Sequence, residues 1–202
     1  MRLPSGAGQR QRAPWTSARL RSGLAMLRLA MQGKPPNIFL VGPMGSGKSA
    51  VGRSLARLLR VPFHDSDAEI ERRTGVDIPF IFDKEGEAGF REREREAIES
   101  LTMLRHVVLA TGGGAILLAE NRRRLAENGW VVYLQTSVAQ QAERVKPGRQ
   151  RPLLRGVEDA AVKLHELMEI RDPLYRSIAD LTVATDGRQI KAVVRDILQA
   201  IR

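Results

Sequence analysis

The residues with the clearest chemical potential form one uninterrupted stretch, Gly42–Ser49, whose sequence GPMGSGKS fills the pattern G-x-x-x-x-G-K-[ST]. Glycines let the backbone turn so that successive N–H groups point inward, where they can hold a polyphosphate. We expect Lys48 to reach the terminal phosphates and Ser49 to place its hydroxyl on a bridging Mg²⁺ ion. A simple glycine-rich turn between a strand and a helix is the structural alternative. The full match in the expected context favours a site for a nucleoside triphosphate.

Two aspartates, Asp65 and Asp67, come at the end of a second predicted strand. In parallel α/β sheets ligands gather at the carboxyl ends of the strands, so both aspartates should face the same crevice as the glycine loop. A carboxylate there can hold Mg²⁺ through water or accept the proton of an attacking hydroxyl. The structural alternative is that one of them caps the helix predicted to begin at Ala68, and Asp67 is well placed for this. We expect at least one to be functional.

Three arginines, Arg91, Arg151 and Arg171, each border a predicted structural break. A guanidinium binds a carboxylate or a phosphate through a bidentate fork, so several arginines at one crevice would suit an anionic substrate. Any single arginine in so basic a chain is more commonly a surface charge, and composition alone does not select these three. The alternating charges of 91–96 are typical of a solvated helix face.

A third predicted strand runs into Gly112, Gly113 and Gly114. Consecutive glycines bring the backbone close to a ligand and leave its N–H groups available, although a tight strand-to-helix turn would also explain them. No aspartate follows this strand, where many phosphate-loop enzymes carry a second carboxylate for the metal.

These residues can meet only if strands and helices alternate in a parallel sheet. The pattern predicts strands near 37–41, 61–65, 107–110, 130–135 and 181–185. It predicts helices over 48–60, 67–73, 78–84, 88–104, 115–128, 137–145, 158–171 and 188–201. The basic segment 146–152, interrupted by proline and glycine, is predicted to be a mobile loop over the site.

Composition limits the other possibilities. The chain has 202 residues, 43% of them hydrophobic, and no cysteine, which excludes disulfides and thiolate chemistry and fits a cytoplasmic setting. No apolar run approaches the ~20 residues of a membrane span. We expect a monomer, because nothing in the sequence marks an exposed apolar interface.

The basic charge is concentrated at the N-terminus. Residues 1–36 hold seven basic and no acidic residues, which leaves only +3 of the net charge of +10 for the rest of the chain. We interpret 1–34 as a disordered extension that the chemistry does not need. An organellar transit peptide, a basic arm that binds nucleic acid, and a start codon placed too early are the alternatives.

Taken together, the motifs resemble shikimate kinase. They are the stretch 37–49, Asp65-Ser66-Asp67, Ile81-Phe82 with Gly86-Glu87 and 90–94, Gly112–Gly114, Arg151-Pro152-Leu153-Leu154 and Arg171-Asp172-Pro173-Leu174-Tyr175. The resemblance implies transfer of the γ-phosphate of ATP to the 3-hydroxyl of shikimate. It implies the P-loop NTPase fold of the nucleoside monophosphate kinase type, a five-stranded parallel sheet flanked by helices with a mobile lid. A kinase domain would then span 35–202, with the lid at about 145–157.

The resemblance also implies residue roles. Asp67 would bind the substrate hydroxyls and take the reacting proton, and with Lys48 and Arg151 it would form the catalytic group. Arg91 and Arg171 would hold the shikimate carboxylate beside the three glycines. Ser49 and Asp65 would bind Mg²⁺, Asp65 through water. The implied ATP-binding residues are Gly45, Ser46, Gly47, Lys48, Ser49, Ala50, Arg144, Arg151 and Arg188, of which Arg151 would close with the lid and Arg144 and Arg188 would pack on adenine.

Two departures from the family pattern are the N-terminal extension and Ile190, which stands near a position where some relatives have proline beside the adenine. The alternatives are a related small-molecule kinase, acting on gluconate or a nucleoside monophosphate, and a nucleotide-dependent module whose basic tail binds nucleic acid. We expect small-molecule substrates and no nucleic acid or membrane partner.

Overall fold

The computed structural model describes residues 37–144 and 159–201. The predicted N-terminal extension and the predicted lid, with Arg151, lie outside the described residues. Within these two ranges no helix has the length and apolar character needed to cross a lipid bilayer.

A five-stranded sheet forms the centre of the molecule. Its strands are β1 (Ile38–Val41), β2 (Phe63–Asp65), β3 (Val108–Ala110), β4 (Trp130–Gln135) and β5 (Leu181–Ala184). Every pairing is parallel, in the spatial order β2-β3-β1-β4-β5. The predicted five-stranded parallel sheet is therefore confirmed.

The described residues form seven helices, six of them between strands and the last after β5. They are α1 (Lys48–Leu59), α2 (Ser66–Thr74), α3 (Ile78–Thr102), α4 (Ala119–Asn128), α5 (Val138–Arg144), α6 (Ala160–Ile178) and α7 (Ile190–Ile201). A parallel connection must cross back over a face of the sheet, so the helices cover the apolar side chains of the strands.

The central strand β1 divides its side chains between two apolar layers. Phe39 and Val41 pack in a cluster with residues of α3, α4 and α6, whereas Ile38 and Leu40 pack in a second cluster with residues of α1 and α7. Successive side chains of a strand point to opposite faces, and all four are completely buried. This double burial explains why the strand is a continuous apolar run.

Some predicted helix limits were wrong. The helix predicted over 158–171 continues as α6 to Ile178 and contains Pro173. Proline removes one helical hydrogen bond, but Tyr175 and Ile178 beyond it are buried in the core, and this packing stabilises the continued helix. The helix predicted over 115–128 begins at Ala119, because Ala115 and Ile116 belong to the turn after the glycines.

Helix α3 corresponds to the two helices predicted over 78–84 and 88–104. It is interrupted at Gly86, whose φ of 67° and ψ of −172° lie outside helical values. The break separates the short first part of the helix from the part that carries Arg91.

Candidate active site

The glycine loop between β1 and α1 has the geometry of a phosphate cradle. Gly42, Gly45 and Gly47 have backbone φ values of 145°, 76° and 88°, which residues with a Cβ rarely adopt. The Lys48 ammonium donates hydrogen bonds to the carbonyl oxygens of Gly42 at 2.8 Å and Pro43 at 2.7 Å. Its positive charge therefore lies at the loop, where the N-terminus of α1 also favours an anion.

Ser49 and Asp65 meet beside this loop. The Ser49 hydroxyl donates a 2.6 Å hydrogen bond to Asp65 Oδ2, which brings the first turn of α1 against the end of β2. Asp65 Oδ1 accepts from the backbone N–H of Asp67 at 3.1 Å and so caps α2. The structural alternative, in which one aspartate caps this helix, therefore applies to Asp65 and not to Asp67.

A hydroxyl and a carboxylate oxygen form a donor set that suits Mg²⁺. This ion takes oxygen ligands and usually keeps several waters while binding one or two protein groups and substrate phosphates. The pair Ser49–Asp65 fits that description.

The glycine turn after β3, Gly112–Gly114, is where the predicted acceptor-binding residues meet. A Cβ on Gly112 would lie 2.6 Å from Asp67 Oδ1 and 2.6 Å from Glu94 Oε1, and a Cβ on Gly114 would lie 2.6 Å from Arg91 Cζ. Neither glycine has a positive φ. The turn therefore uses glycine because charged side chains fill the space beside it.

The same turn also lies against the phosphate loop, since a Cβ on Gly113 would be 3.5 Å from the Met44 nitrogen. The prediction that the glycines leave their N–H groups available was wrong for Gly112. Its N–H donates to the Ser66 hydroxyl at 2.8 Å, which joins the turn to the start of α2.

Arg91 and Glu94 form a buried ion pair next to the turn. Arg91 donates to Glu94 Oε2 at 2.6 Å and, from its other side, to Glu87 Oε1 at 2.8 Å. The side chains of Arg91 and Glu94 are 12% and 1% exposed. The interpretation of 91–96 as a solvated face was therefore wrong for these two residues, whose three-residue spacing places them on the inward side of α3.

Glu94 has an unusual electrostatic environment. Burial raises the pKa of Glu94 to about 7, with the Asp67 carboxylate adding to the rise, while the positive charge of Arg91 opposes it. Glu94 Oε1 is buried without a hydrogen-bond partner among the described residues. A carboxyl group with a free oxygen thus lies beside Asp67 and the glycine turn. Sequence reasoning missed it, although Glu94 stands on the apolar stripe of α3 formed with Phe90, Ala97, Ile98 and Leu101.

Arg171 comes to this region from α6. It is only 4% exposed, and its Nε has no hydrogen-bond partner within the described part of the chain. Burial lowers the pKa of Arg171, and the charge of Arg91 acts in the same direction. Two guanidinium groups that are close enough to repel each other would both be stabilised by an anion.

Arg144 and Arg188 lie on the side of the phosphate loop that faces β5. Arg144 donates to the Gly45 carbonyl at 3.0 Å and to the Thr185 carbonyl at 3.3 Å. Arg188 donates to the Ala184 carbonyl at 3.2 Å and to Asp196 at 2.6 Å. Both arginines are thus near the end of β5, apart from the acceptor-binding group. Ala50, in the first turn of α1, is partly buried.

Two tyrosines complete the neighbourhood, and sequence reasoning assigned no role to either. The Tyr175 hydroxyl donates to the Gly113 carbonyl at 2.5 Å, and its ring stacks on Tyr133 at 4.9 Å between centroids. The Tyr133 hydroxyl donates to Asp172 at 2.8 Å. The available sequence signal was the position of Tyr175 four residues after Arg171, which places both on one side of a helix.

Comparison with known proteins identifies one family. A sequence model described as shikimate kinase matches residues 44–202. The shikimate kinase of Pseudomonas syringae pv. tomato is 58% identical over 162 residues, 80% of this chain and 94% of that protein. The shikimate kinase of Hahella chejuensis is 54% identical over 166 residues, 82% of this chain and 86% of that protein.

A solved structure of a shikimate kinase also matches this chain. The shikimate kinase from Acinetobacter baumannii in complex with shikimate is 53% identical, with a TM-score of 0.80, and the match covers 82% of this chain and 92% of that one. The chain therefore belongs to the shikimate kinase family.

Proposed function

We propose that this protein transfers the γ-phosphoryl group of ATP to the 3-hydroxyl of shikimate, which yields shikimate 3-phosphate and ADP. The observation that carries the proposal is the buried Arg171, whose Nε lacks a partner among the described residues. It lies near Arg91, which fills the space beside the glycine turn, and the same turn is close to the phosphate loop. An anionic ligand would stabilise a cation held in this way, and a carboxylate matches the fork of a guanidinium.

Arg91 and Arg171 are proposed to bind the shikimate carboxylate, and Asp67 to bind its hydroxyls. Gly112–Gly114 would line the pocket, since the absence of side chains there brings the substrate ring close to the backbone. Membership of the family supports this acceptor over gluconate or a nucleoside monophosphate.

The donor side is proposed to hold ATP through the backbone of the phosphate loop, Lys48 and the N-terminus of α1. Ser49 and Asp65 would hold Mg²⁺, which neutralises charge on the β- and γ-phosphates when bound. Arg144 and Arg188 are proposed to contact the adenosine part of ATP. Arg151, outside the described residues, is proposed from its sequence motif alone to neutralise charge on the transferring group.

In the reaction, the bond between the γ-phosphorus and the bridging oxygen of ADP breaks as the 3-oxygen of shikimate bonds to that phosphorus. The proton of the 3-hydroxyl is proposed to pass to Asp67. Such a transfer leaves the protein little covalent chemistry, so the rate depends on positioning and charge neutralisation. Lys48 supplies positive charge at the loop.

The direct test is an assay of ADP release with shikimate, gluconate or nucleoside monophosphates as acceptor. We expect strong stimulation by shikimate alone. Shikimate methyl ester provides a matched control, because it keeps the reacting hydroxyl but removes the carboxylate; its KM should be far higher. No stimulation by shikimate would overturn the proposed function, and equal use of the ester would overturn the roles of Arg91 and Arg171.

The monomeric state, the cytoplasmic location and the dispensability of 1–34 remain predictions. Deletion of 1–30 should leave kinase activity unchanged. Salt-dependent nucleic-acid binding that disappears with the deletion would instead give the tail a separate function.

A further inference from the structure

The side chain of Tyr175 connects helix α6 to the glycine turn. Its hydroxyl donates a 2.5 Å hydrogen bond to the carbonyl oxygen of Gly113. The residue is completely buried, and its ring stacks on Tyr133 with an angle of 22° between the planes. Both rings therefore have fixed positions, and the Tyr175 hydroxyl is the part of the side chain that reaches the turn.

Gly113 is the member of the turn that faces the phosphate loop. A Cβ added there would lie 3.5 Å from the Met44 nitrogen and 3.6 Å from the Gly42 oxygen, so a side chain at this position would be in van der Waals contact with the loop. On either side, Gly112 contacts Asp67 and Gly114 contacts Arg91. A shift of Gly113 would thus move the turn relative to both the donor loop and the acceptor-binding side chains.

Tyr175 lies four residues after Arg171 on the same helix, one turn further along. The Tyr175 hydroxyl also interacts with the guanidinium of Arg171, so this one group relates the position of Arg171 to that of the glycine turn. The apolar ring alone would satisfy the packing against Tyr133, so burial does not require the hydroxyl.

We propose that Tyr175 is a positioning residue for phosphoryl transfer, whose hydroxyl holds the glycine turn in register between Arg171 and the phosphate loop. This inference rests on the proposed function. Its physical basis is that small errors in the placement of two reacting groups are costly, with a shift of about 1 Å able to lower a rate ~100-fold. Loss of the hydroxyl should therefore affect catalysis more than stability.

The test compares Tyr175→Phe with the matched control Tyr133→Phe. Each variant keeps the stacked rings and removes one hydroxyl. The hydroxyl of Tyr175 interacts with Gly113 and Arg171, whereas that of Tyr133 is bonded to Asp172. We expect kcat/KM for shikimate to fall about 10- to 100-fold in Tyr175→Phe, with little change in the KM for ATP. Tyr133→Phe should stay close to the wild type in both constants, even if its Tm falls as much as that of Tyr175→Phe.

Unchanged shikimate kinetics in Tyr175→Phe, or an equal loss in Tyr133→Phe, would overturn the role of Tyr175. Wild-type turnover with shikimate, measured in the same assay, keeps the two proposals apart. Its absence would overturn the proposed function, whereas normal wild-type turnover with a fully active Tyr175→Phe would overturn the positioning role alone.

A second measurement applies even if Tyr175→Phe does not fold. The chain contains two tyrosines, so 3-fluorotyrosine incorporated into Tyr133→Phe labels position 175 alone. The fluorine resonance should shift when shikimate is added, because the ligand would contact the turn to which the hydroxyl is bonded. A resonance that stays unchanged at saturating shikimate would overturn the proposal.

Discussion

Replacing Glu94 by Gln should remove a specific pH dependence of folding stability. Burial raises the pKa of this carboxyl group in the native protein from 4.5 to about 7. Between these values the native state keeps a proton that the unfolded chain has already released. Stability therefore falls as the pH rises through this window, and it changes no further above the native pKa.

The size of the effect follows from the shift in pKa. Each unit is worth about 1.4 kcal/mol, so the wild type should lose about 3 kcal/mol between pH 4.5 and pH 8 through Glu94. A glutamine at this position has nearly the same shape and cannot ionise. The replacement also weakens the pairing with Arg91, but because Arg91 stays charged throughout, that cost is nearly constant with pH.

Urea unfolding at a series of pH values measures the difference directly. The free energy of unfolding of Glu94→Gln relative to the wild type should rise by about 3 kcal/mol from the acidic to the basic end of the window. Glu87→Gln is the matched control, because it removes the half-exposed carboxylate on the other side of Arg91 and leaves Glu94 in place. Parallel curves for the wild type and Glu94→Gln would refute the reasoning.

Other substitutions test the remaining parts of the site. Asp67→Asn should lower kcat at least ~100-fold, the usual size of a general-base contribution, and leave the Kd for shikimate nearly normal. A strongly raised Kd with a normal kcat would instead indicate that Asp67 positions the substrate in the ground state. Gly114→Ala should raise the KM for shikimate and spare that for ATP, because the added Cβ would lie 2.6 Å from Arg91 Cζ. Steady-state kinetics with each substrate varied would show this, and equal increases in both KM values would contradict it. Arg151→Ala should slow turnover without lowering Tm, and an unchanged kcat would remove Arg151 from the reaction.

The fold could be predicted almost entirely from local patterns. Buried parallel strands are short apolar runs, and the glycine loop follows the first of them, so the five strands were found within a few residues. Helix limits were less predictable where the core overrides local preference. Pro173 marks a helix end in sequence, yet the burial of Tyr175 and Ile178 keeps α6 intact beyond it.

Site residues that belong to a recognisable sequence motif could be predicted. Residues whose role depends on which groups surround them in the fold could not. Asp67, Arg91 and the glycine turn were identified, and the structure brings them together. Glu94 looked like one of several alternating charges, because sequence does not show which side of α3 faces the sheet until the apolar stripe is traced. For Tyr175 the only sequence signal was its spacing from Arg171, because its proposed role depends on a hydrogen bond to the carbonyl of Gly113, which only the structure shows.

The structure also changes the physical reason for the glycine turn. Gly112 and Gly114 do not need unusual backbone angles. They leave space that is occupied by Asp67 from α2 and by Arg91 and Glu94 from α3.

The strand pairing sets the distance between the two halves of the site. The glycine turn follows β3, and the phosphate loop follows β1. These strands are paired with Leu40 opposite Ala110, and the Thr111 N–H extends the ladder with a 3.1 Å bond to the Leu40 carbonyl. Paired strands are about 4.8 Å apart, so one strand pairing sets the distance between donor loop and acceptor pocket. The sheet thus sets the distance between the phosphate loop and the glycine turn, whereas in the proposed function the charged side chains that helices bring to the turn would determine the identity of the acceptor.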